Sequence, residues 1–464
     1  MNTSSLPVAV IGAGPVGLAA AAHLLSRSER PILLEAGSAP AANIRQWAHV
    51  RTFSAWRENV DSVAREMLEA SGWQPPVWNE APTGGEFIDR YLQPLADLQP
   101  IREHLRLGAR VTGISRLGFD KMKSGDRDNA PFLLQVSLRD GSRESLLARA
   151  VIDASGTFSS PNPLGAFGVP AQGEAEAADR IFYGIADVLD AQRDRYAGRR
   201  VLVVGSGHSA FNALLDLAKL QNAEPATTVT WAIRSTPDPA MYGGGAGDAL
   251  PLRGALGTAM KDLVGSGKLR FVSGFPITAL RQDDGGVYVR SFDGELGPFD
   301  EIVCATGFRP DLSLTRELRV ALDPTVEAPP ALAPLIDPNV HSCGTVPPHG
   351  VEELSHPEPG FYIVGMKSYG RAPTFLMLTG YEQVRSVVAE LVGDHAAARE
   401  VRLELPATGV CNTGGPQLDA ATATAASGCC GPITKSVIDL GSVEAADSSC
   451  ATPVAAGAAG GGCR

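Results

Sequence analysis

Apolar positions in this chain fall into short unbroken runs separated by helical stretches, and that alternation predicts its elements. Residues 7–11 (PVAVI) read as a parallel strand buried on both faces. Gly12-Ala13-Gly14-Pro15-Val16-Gly17 then turns into an Ala/Leu-rich helix reaching about residue 27, and PILLE, ending at Glu35, reads as a second parallel strand. A mixed, mostly helical segment follows to about residue 105, with turn signals at Pro75-Pro76 and Gly84-Gly85. Alternating stretches near 109–116 and 131–138 predict strands, and AVIDASG closes this half at 150–156.

From about residue 176 the pattern restarts. VLVVG (201–205) predicts a buried strand, followed by a turn, a helix through about 220 and the strand TVTWAIR (228–234). Further strands fit 269–273, 287–291 and EIVCATG (301–307). A Pro-rich connection over roughly 323–338 leads to GFYIVG (360–365) and a long helix from about 374 to 393. The last 50 or so residues hold Ala, Gly, Ser and Thr with few large apolar side chains, a composition that predicts a mobile tail.

Both halves carry a phosphate cradle. In the first, Gly12 permits the tight turn, Gly14 lets backbone approach a pyrophosphate and Gly17 lets helix and strand pack closely. Pro15 opens the helix whose N-terminus receives the phosphates, and Glu35 is placed to accept from ribose hydroxyls. The second, Gly205-Ser206-Gly207-His208-Ser209-Ala210, follows a buried strand in the same way. Its second strand ends on Arg234 and Ser235, where the first unit has Glu35; a guanidinium and a hydroxyl there suit a 2′-phosphate, hence NADPH. Ala154-Ser155-Gly156 and Ala305-Thr306-Gly307 bracket the second cradle, which places Thr306 and Gly307 beside a nucleotide and predicts one nucleotide domain inserted into the other. The expected fold is α/β, with two Rossmann-like dinucleotide-binding domains. An FAD domain is assembled from 1–170 and 301–405, the NADPH domain spans 171–300, and a low-complexity tail spans 406–464.

Composition narrows the function. A net charge of −11 argues against a nucleic-acid partner, and no apolar run is long enough to span a bilayer. The start, MNTSSLPVAVIGAGP, lacks a basic leader region, so a cytoplasmic protein is expected. Of seven cysteines, only Cys304 and Cys343 lie in the first 400 residues, which is no disulfide framework. Cys411, Cys429, Cys430, Cys450 and Cys463 sit in the tail; Cys411, Cys429 and Cys430 are candidate soft-ion ligands that would suit arsenite. His341, Cys343 and His349 have no metal-knuckle spacing and read as a structural or substrate-site loop.

The chain resembles two-dinucleotide-binding flavoproteins: flavin-containing and Baeyer–Villiger monooxygenases, N-hydroxylases and thioredoxin-reductase-like enzymes. WAHVRTFSAWRENVD (47–61), RYAGRRVLVVGSGHSAFNALLDLA (195–218) and GFYIVGMKSYGRAPTFLMLTGYEQVRSV (360–387) look like the monooxygenase-like proteins of bacterial arsenic-resistance operons. The resemblance implies FAD and NADPH as cofactors. It places Trp47 and Arg51 near the flavin ring, although Trp47, Phe53 and Trp56 also fit a core cluster. It also points the helix after Lys367 and Arg371 toward the flavin, where those two cations would assist or remain solvated. Two departures stand out. Val188 occupies the histidine position of the FxGxxxH signature, and no CxxC pair exists. A monooxygenase oxygenating a small soft nucleophile (sulfur, nitrogen or trivalent arsenic) is the leading expectation. An NADPH-dependent reductase or oxidase and a flavin-bearing redox sensor are the alternatives, and an oligomer is left open.

Overall fold

A computed structural model describes residues 5–248, 250–340, 346–373 and 375–403. Its first parallel sheet is built from β1 (Val8–Ile11), β2 (Pro31–Glu35) and β3 (Leu105–Leu107). Between β3 and the next strand of that sheet lies an antiparallel sheet of β4 (Ala109–Arg116), β5 (Phe132–Leu138) and β6 (Arg143–Ala148). The chain then adds β7 (Ala150–Asp153) beside β1, in register Ile11 to Asp153. β1 and β7 are buried at every position, as strands covered on both faces must be. The helix Pro15–Ser26 lies against this sheet, with Leu18, Ala19, Ala20 and Leu24 fully buried.

The chain next leaves the first sheet and builds a second. It adds β8 (Ile181–Tyr183), β9 (Arg200–Val204), β10 (Thr228–Ala232) and β11 (Arg270–Val272). An antiparallel sheet follows, formed by β12 (Ala279–Asp283), β13 (Gly286–Ser291) and β14 (Gly294–Phe299), and then β15 (Glu301–Cys304). The second parallel sheet has the order β11-β10-β9-β15-β8. The helices His208–Ala223 and Pro251–Gly265 pack on it through Phe211, Leu214, Leu217 and Met260. Finally β16 (Phe361–Ile363) returns to the first sheet, whose order is β16-β7-β1-β2-β3.

The boundary expected at residue 300 therefore falls one strand early. The run EIVC pairs with Val201–Val204 on β9 and with β8, so it belongs to the second sheet. An apolar run shows that a strand is buried but not which sheet buries it. The helix Met377–Leu391 lies beside Pro15–Ser26: a Cβ on Gly380 would come within 2.7 Å of Val16. Among the described residues no helix is long and apolar enough to cross a membrane.

Candidate functional site: paired nucleotide cradles

Each cradle is shaped by contacts that only glycine permits. Gly12 has φ of +96°, and a Cβ there would lie 2.8 Å from the Ala154 carbonyl oxygen. A Cβ on Gly17 would lie 1.8 Å from the Gly12 carbonyl oxygen. Gly14 differs: a Cβ there would meet no protein atom within 4 Å, which leaves open space at the start of the helix Pro15–Ser26. That is the room a pyrophosphate needs, so the residues fit FAD. Glu35 lies at the cradle, accepting from Ala13 N at 2.8 Å and Gly37 N at 2.7 Å. Ala41, which the sequence reading missed, holds φ of 55° and donates its N–H to the Ala13 carbonyl.

The second cradle repeats this construction. Gly205 has φ of +132°, and a Cβ there would lie 2.3 Å from the Ala305 carbonyl oxygen. The two small-residue strand ends are thus the backing of the two cradles, Ala154 behind Gly12 and Ala305 behind Gly205. Gly207, like Gly14, faces open space, and Ser206 beside it is exposed. Trp231 Nε1, a second contact not foreseen, donates to the Gly205 carbonyl at 2.7 Å and fixes the turn. His208 and Ser209 open the following helix, and Ala210 is fully buried.

Strand register corrects the comparison of the two acids and bases. Ile11 pairs with Leu34, and Val204 pairs with Ala232. The counterpart of Glu35 is therefore the buried Ile233, and Arg234 comes one residue later, exposed at the strand end. Its Nη1 donates to the Ala166 carbonyl at 2.9 Å, and Ser235 beside it is also exposed. Among the described residues, positions 233–235 at this strand end are Ile, Arg and Ser, with no carboxylate.

The segment 47–61 joins the two halves. Trp47 is partly buried and packs on Gly84, where a Cβ would meet its ring at 2.8 Å, and Trp56 is buried in the first core. Phe53 instead meets His208 edge-on, with ring centroids 5.1 Å apart. Burial, reinforced by Arg253, holds the His208 pKa below its ordinary value, so the ring is neutral at pH 7. Arg51 is exposed, donating to the Ala81 carbonyl and pairing with Glu86 at 3.5 Å.

Lys367 is not a loop cation. Its side chain is buried, with Nζ 2.7 Å from Asp153 Oδ2 and 3.0 Å from Ser155 Oγ. Arg371 is exposed, and among the described residues its guanidinium has no hydrogen-bond or ion-pair partner. Thr306 Oγ1 donates to the carbonyls of Asn162 and Pro163, turning toward the neighbouring crossing of the chain, while Gly307 is exposed. Val188 is buried in the second core with Tyr196. His349 is buried, with Nδ1 3.0 Å from the Pro347 carbonyl and Nε2 2.9 Å from Gln383 Nε2. His341, Cys343, Thr374, Cys411, Cys429 and Cys430 lie outside the described residues.

The family model of the pyridine nucleotide-disulphide oxidoreductases matches residues 6–352, and the chain belongs to that family. It is an FAD- and NAD(P)H-dependent oxidoreductase. No curated protein matches it. Among solved structures it is similar to bacillithiol disulfide reductase from Bacillus cereus, at 20% identity and a TM-score of 0.59, covering 85% of this chain and 99% of that one. It is similar to a variant of a flavin monooxygenase from Stenotrophomonas maltophilia at 22% identity and 0.53, covering 84% and 98%. An ornithine N-hydroxylase from Kutzneria matches at 18% and 0.54, covering 85% and 100%. These likenesses establish the shared two-domain fold.

Proposed function

We propose that the protein is an NADPH-dependent FAD monooxygenase acting on a small soft nucleophile, with sulfur, nitrogen or trivalent arsenic as the atom oxygenated. When bound, FAD would supply the redox chemistry that links NADPH oxidation to oxygen. The chain's part is to bind and orient. Gly12, Gly14 and Gly17 would hold the FAD pyrophosphate on a helix N-terminus, and Glu35 would accept from ribose hydroxyls. Gly205, Ser206, Gly207, His208 and Ser209 do the same for NADPH, with Arg234 and Ser235 toward the 2′-phosphate.

Cys304 carries the choice of acceptor. It is the only cysteine among the described residues, and burial pushes its thiol up to about 12. Its Sγ lies 3.2 Å from Thr306 Oγ1. A buried, protonated thiol is neither a nucleophile nor an electron relay, which favours electrons leaving the flavin directly for oxygen and substrate. The second reading is an NADPH-dependent reductase serving a disulfide, quinone or metalloid; membership of a disulphide oxidoreductase family favours it. Arsenic enters through the resemblance of residues 47–61, 195–218 and 360–387, and through Cys411, Cys429 and Cys430, three soft thiolates suited to arsenite. Supplying isotopically labelled oxygen with NADPH and a panel of thioethers, amines and arsenite tests the proposal. A product gaining one labelled oxygen atom supports the monooxygenase. NADPH use matched one for one by reduction of a disulfide, quinone or metalloid, with no oxygenated product across the panel, transfers the assignment to the reductase.

A further inference from the structure

The chain passes between its two parallel sheets twice, once from β7 toward β8 and once from β15 toward β16. These crossings do not run separately. Pro161 and Phe308 form an antiparallel bridge, Arg309 N donates to the Ser160 carbonyl at 2.9 Å, and the Phe158 and Phe308 rings stack 4.7 Å apart. Asn162 is the centre of the joint. Its backbone N donates to the Gly307 carbonyl at 2.9 Å, and its Nδ2 donates to the Thr306 carbonyl at 3.0 Å. Its Oδ1 accepts from Arg309 Nε at 3.0 Å, and its carbonyl accepts from Thr306 Oγ1 at 3.0 Å. Every one of these partners lies on the other crossing.

The flanking residues make this a stiff joint. Pro161 and Pro163 have no N–H to contribute, so Asn162 supplies the one backbone donor of the triplet. Pro163 also restricts Asn162 to extended backbone, the conformation the bridge needs. Arg309 extends the joint by donating from Nη2 to the Gly168 carbonyl at 3.1 Å. On the cradle side, Thr306 follows directly on Ala305, whose carbonyl backs Gly205.

We infer that Asn162 is a positioning residue for electron transfer between the two nucleotides: by joining the crossings it sets the separation of the cradles. The inference rests on the reading that NADPH reduces FAD, with a hydride (one proton and two electrons) leaving the nicotinamide as NADP+ forms. Such a transfer demands reacting atoms in near-contact, and a misplacement of about 1 Å costs on the order of a hundredfold. Separately moving crossings would not hold that tolerance.

The test compares Asn162→Ala with the wild-type full chain in two measurements. In cofactor-free protein, hydrogen–deuterium exchange of peptides covering 157–164 and 304–310 rises about tenfold or more, while peptides in β1 and β9 exchange as before. In FAD-loaded protein under anaerobic conditions, the flavin reduction rate at saturating NADPH falls about tenfold or more. FAD content and NADPH affinity stay within about twofold. A residue important only for folding would lower FAD content and leave the rate of the loaded fraction unchanged. Unchanged exchange at the crossings, or an unchanged reduction rate, overturns the inference. If the alanine variant does not fold, Asn162→Asp, which keeps the acceptor for Arg309 and loses the donor to Thr306, decides by the same measurements. If NADPH fails to bleach wild-type flavin, the functional reading fails, and exchange alone then judges the joint.

Discussion

Lys367 Nζ lies 2.7 Å from Asp153 Oδ2, with both side chains removed from solvent, so a salt bridge ties the turn after β16 to the end of β7. Ser155 Oγ completes the cluster, 2.6 Å from Asp153 Oδ1. Ser155 also backs the first cradle, its Cα 3.0 Å from where a Gly12 Cβ would be. The charge pair therefore supports, through Ser155, the backbone that backs Gly12. Lys367→Met leaves a buried carboxylate unpaired and should destabilise the protein by about 3–5 kcal/mol. The double variant Asp153→Leu with Lys367→Met should recover more than half of that loss, as read by urea denaturation. A double variant no more stable than Lys367→Met would refute the charge argument.

Gly14→Val separates binding from folding. The position has φ of −79° and ψ of −173°, which valine adopts without strain, and a Cβ there meets no protein atom. The variant should therefore fold with a near-normal melting temperature yet purify without flavin, because the side chain fills the pyrophosphate's space. Gly17→Val is the contrast, since its Cβ would overlap the Gly12 carbonyl at 1.8 Å, and it should not fold. A yellow, stoichiometrically flavinated Gly14→Val protein would disprove the first cradle.

Arg234→Asp addresses the choice of nucleotide. The guanidinium is exposed at the end of β10 and, among the described residues, is held by the Ala166 carbonyl, which a phosphate could outcompete. Losing a charge-assisted phosphate contact of about 1.5–3 kcal/mol should raise the Michaelis constant for NADPH roughly 10- to 150-fold. NADH, without the 2′-phosphate, should be little affected. Equal effects on both nucleotides would show that Arg234 does not read the phosphate.

What could be read from the chain and what could not divide along locality. The runs PVAVI and VLVVG, the glycines after them and the small residues at 154–156 and 305–307 are local patterns, and each cradle is built from them. Register is not local. Arg234 looks like the counterpart of Glu35 until the pairing of Val204 with Ala232 assigns that place to Ile233. Lys367 reads as a cation that either assists the flavin or stays solvated because Asp153, its partner, lies 214 positions away. Asn162, set between two prolines in an ordinary turn-like stretch, gives no sign that its partners stand 144 and 147 positions further on. Trp47, Phe53 and Trp56 look alike in sequence, yet only Phe53 reaches across to His208.

His356 makes the fold sensitive to acid. Its Nδ1 lies 3.1 Å from the Ala321 carbonyl and donates to it, and its buried Nε2 has no partner among the described residues. Burial brings its pKa down to about 4, against about 6.5 in the unfolded chain. Between those values the unfolded chain binds more protons, so stability is full above about pH 6.5 and is lost as pH falls toward about 4. His208 and His349, also lowered by burial, act with the same sign. His356→Gln should flatten the fall in unfolding free energy between pH 7 and 5, His356 accounting for up to about 2 kcal/mol. Parallel pH profiles for the variant and wild type would rule this out.

Removing the tail tests the arsenic reading apart from the redox one. The described fold ends at residue 403, and both cradles, both crossings and the Lys367–Asp153 pair lie before it. A chain truncated at residue 405 should therefore keep FAD and oxidise NADPH at the full-length rate. The tail's cysteines are the separate question. Seventeen residues separate Cys411 from the vicinal pair Cys429-Cys430, and trivalent arsenic bonds three thiolates in a pyramid. Closing that loop costs little, because the entropy of closure grows only with the logarithm of its length. The reduced full-length protein should bind arsenite at about one equivalent, and the truncated protein should lose that tight binding. Equilibrium dialysis of the two chains decides. Equal arsenite binding by both would remove the tail from the proposal and leave arsenic resting on the resemblance of residues 47–61, 195–218 and 360–387.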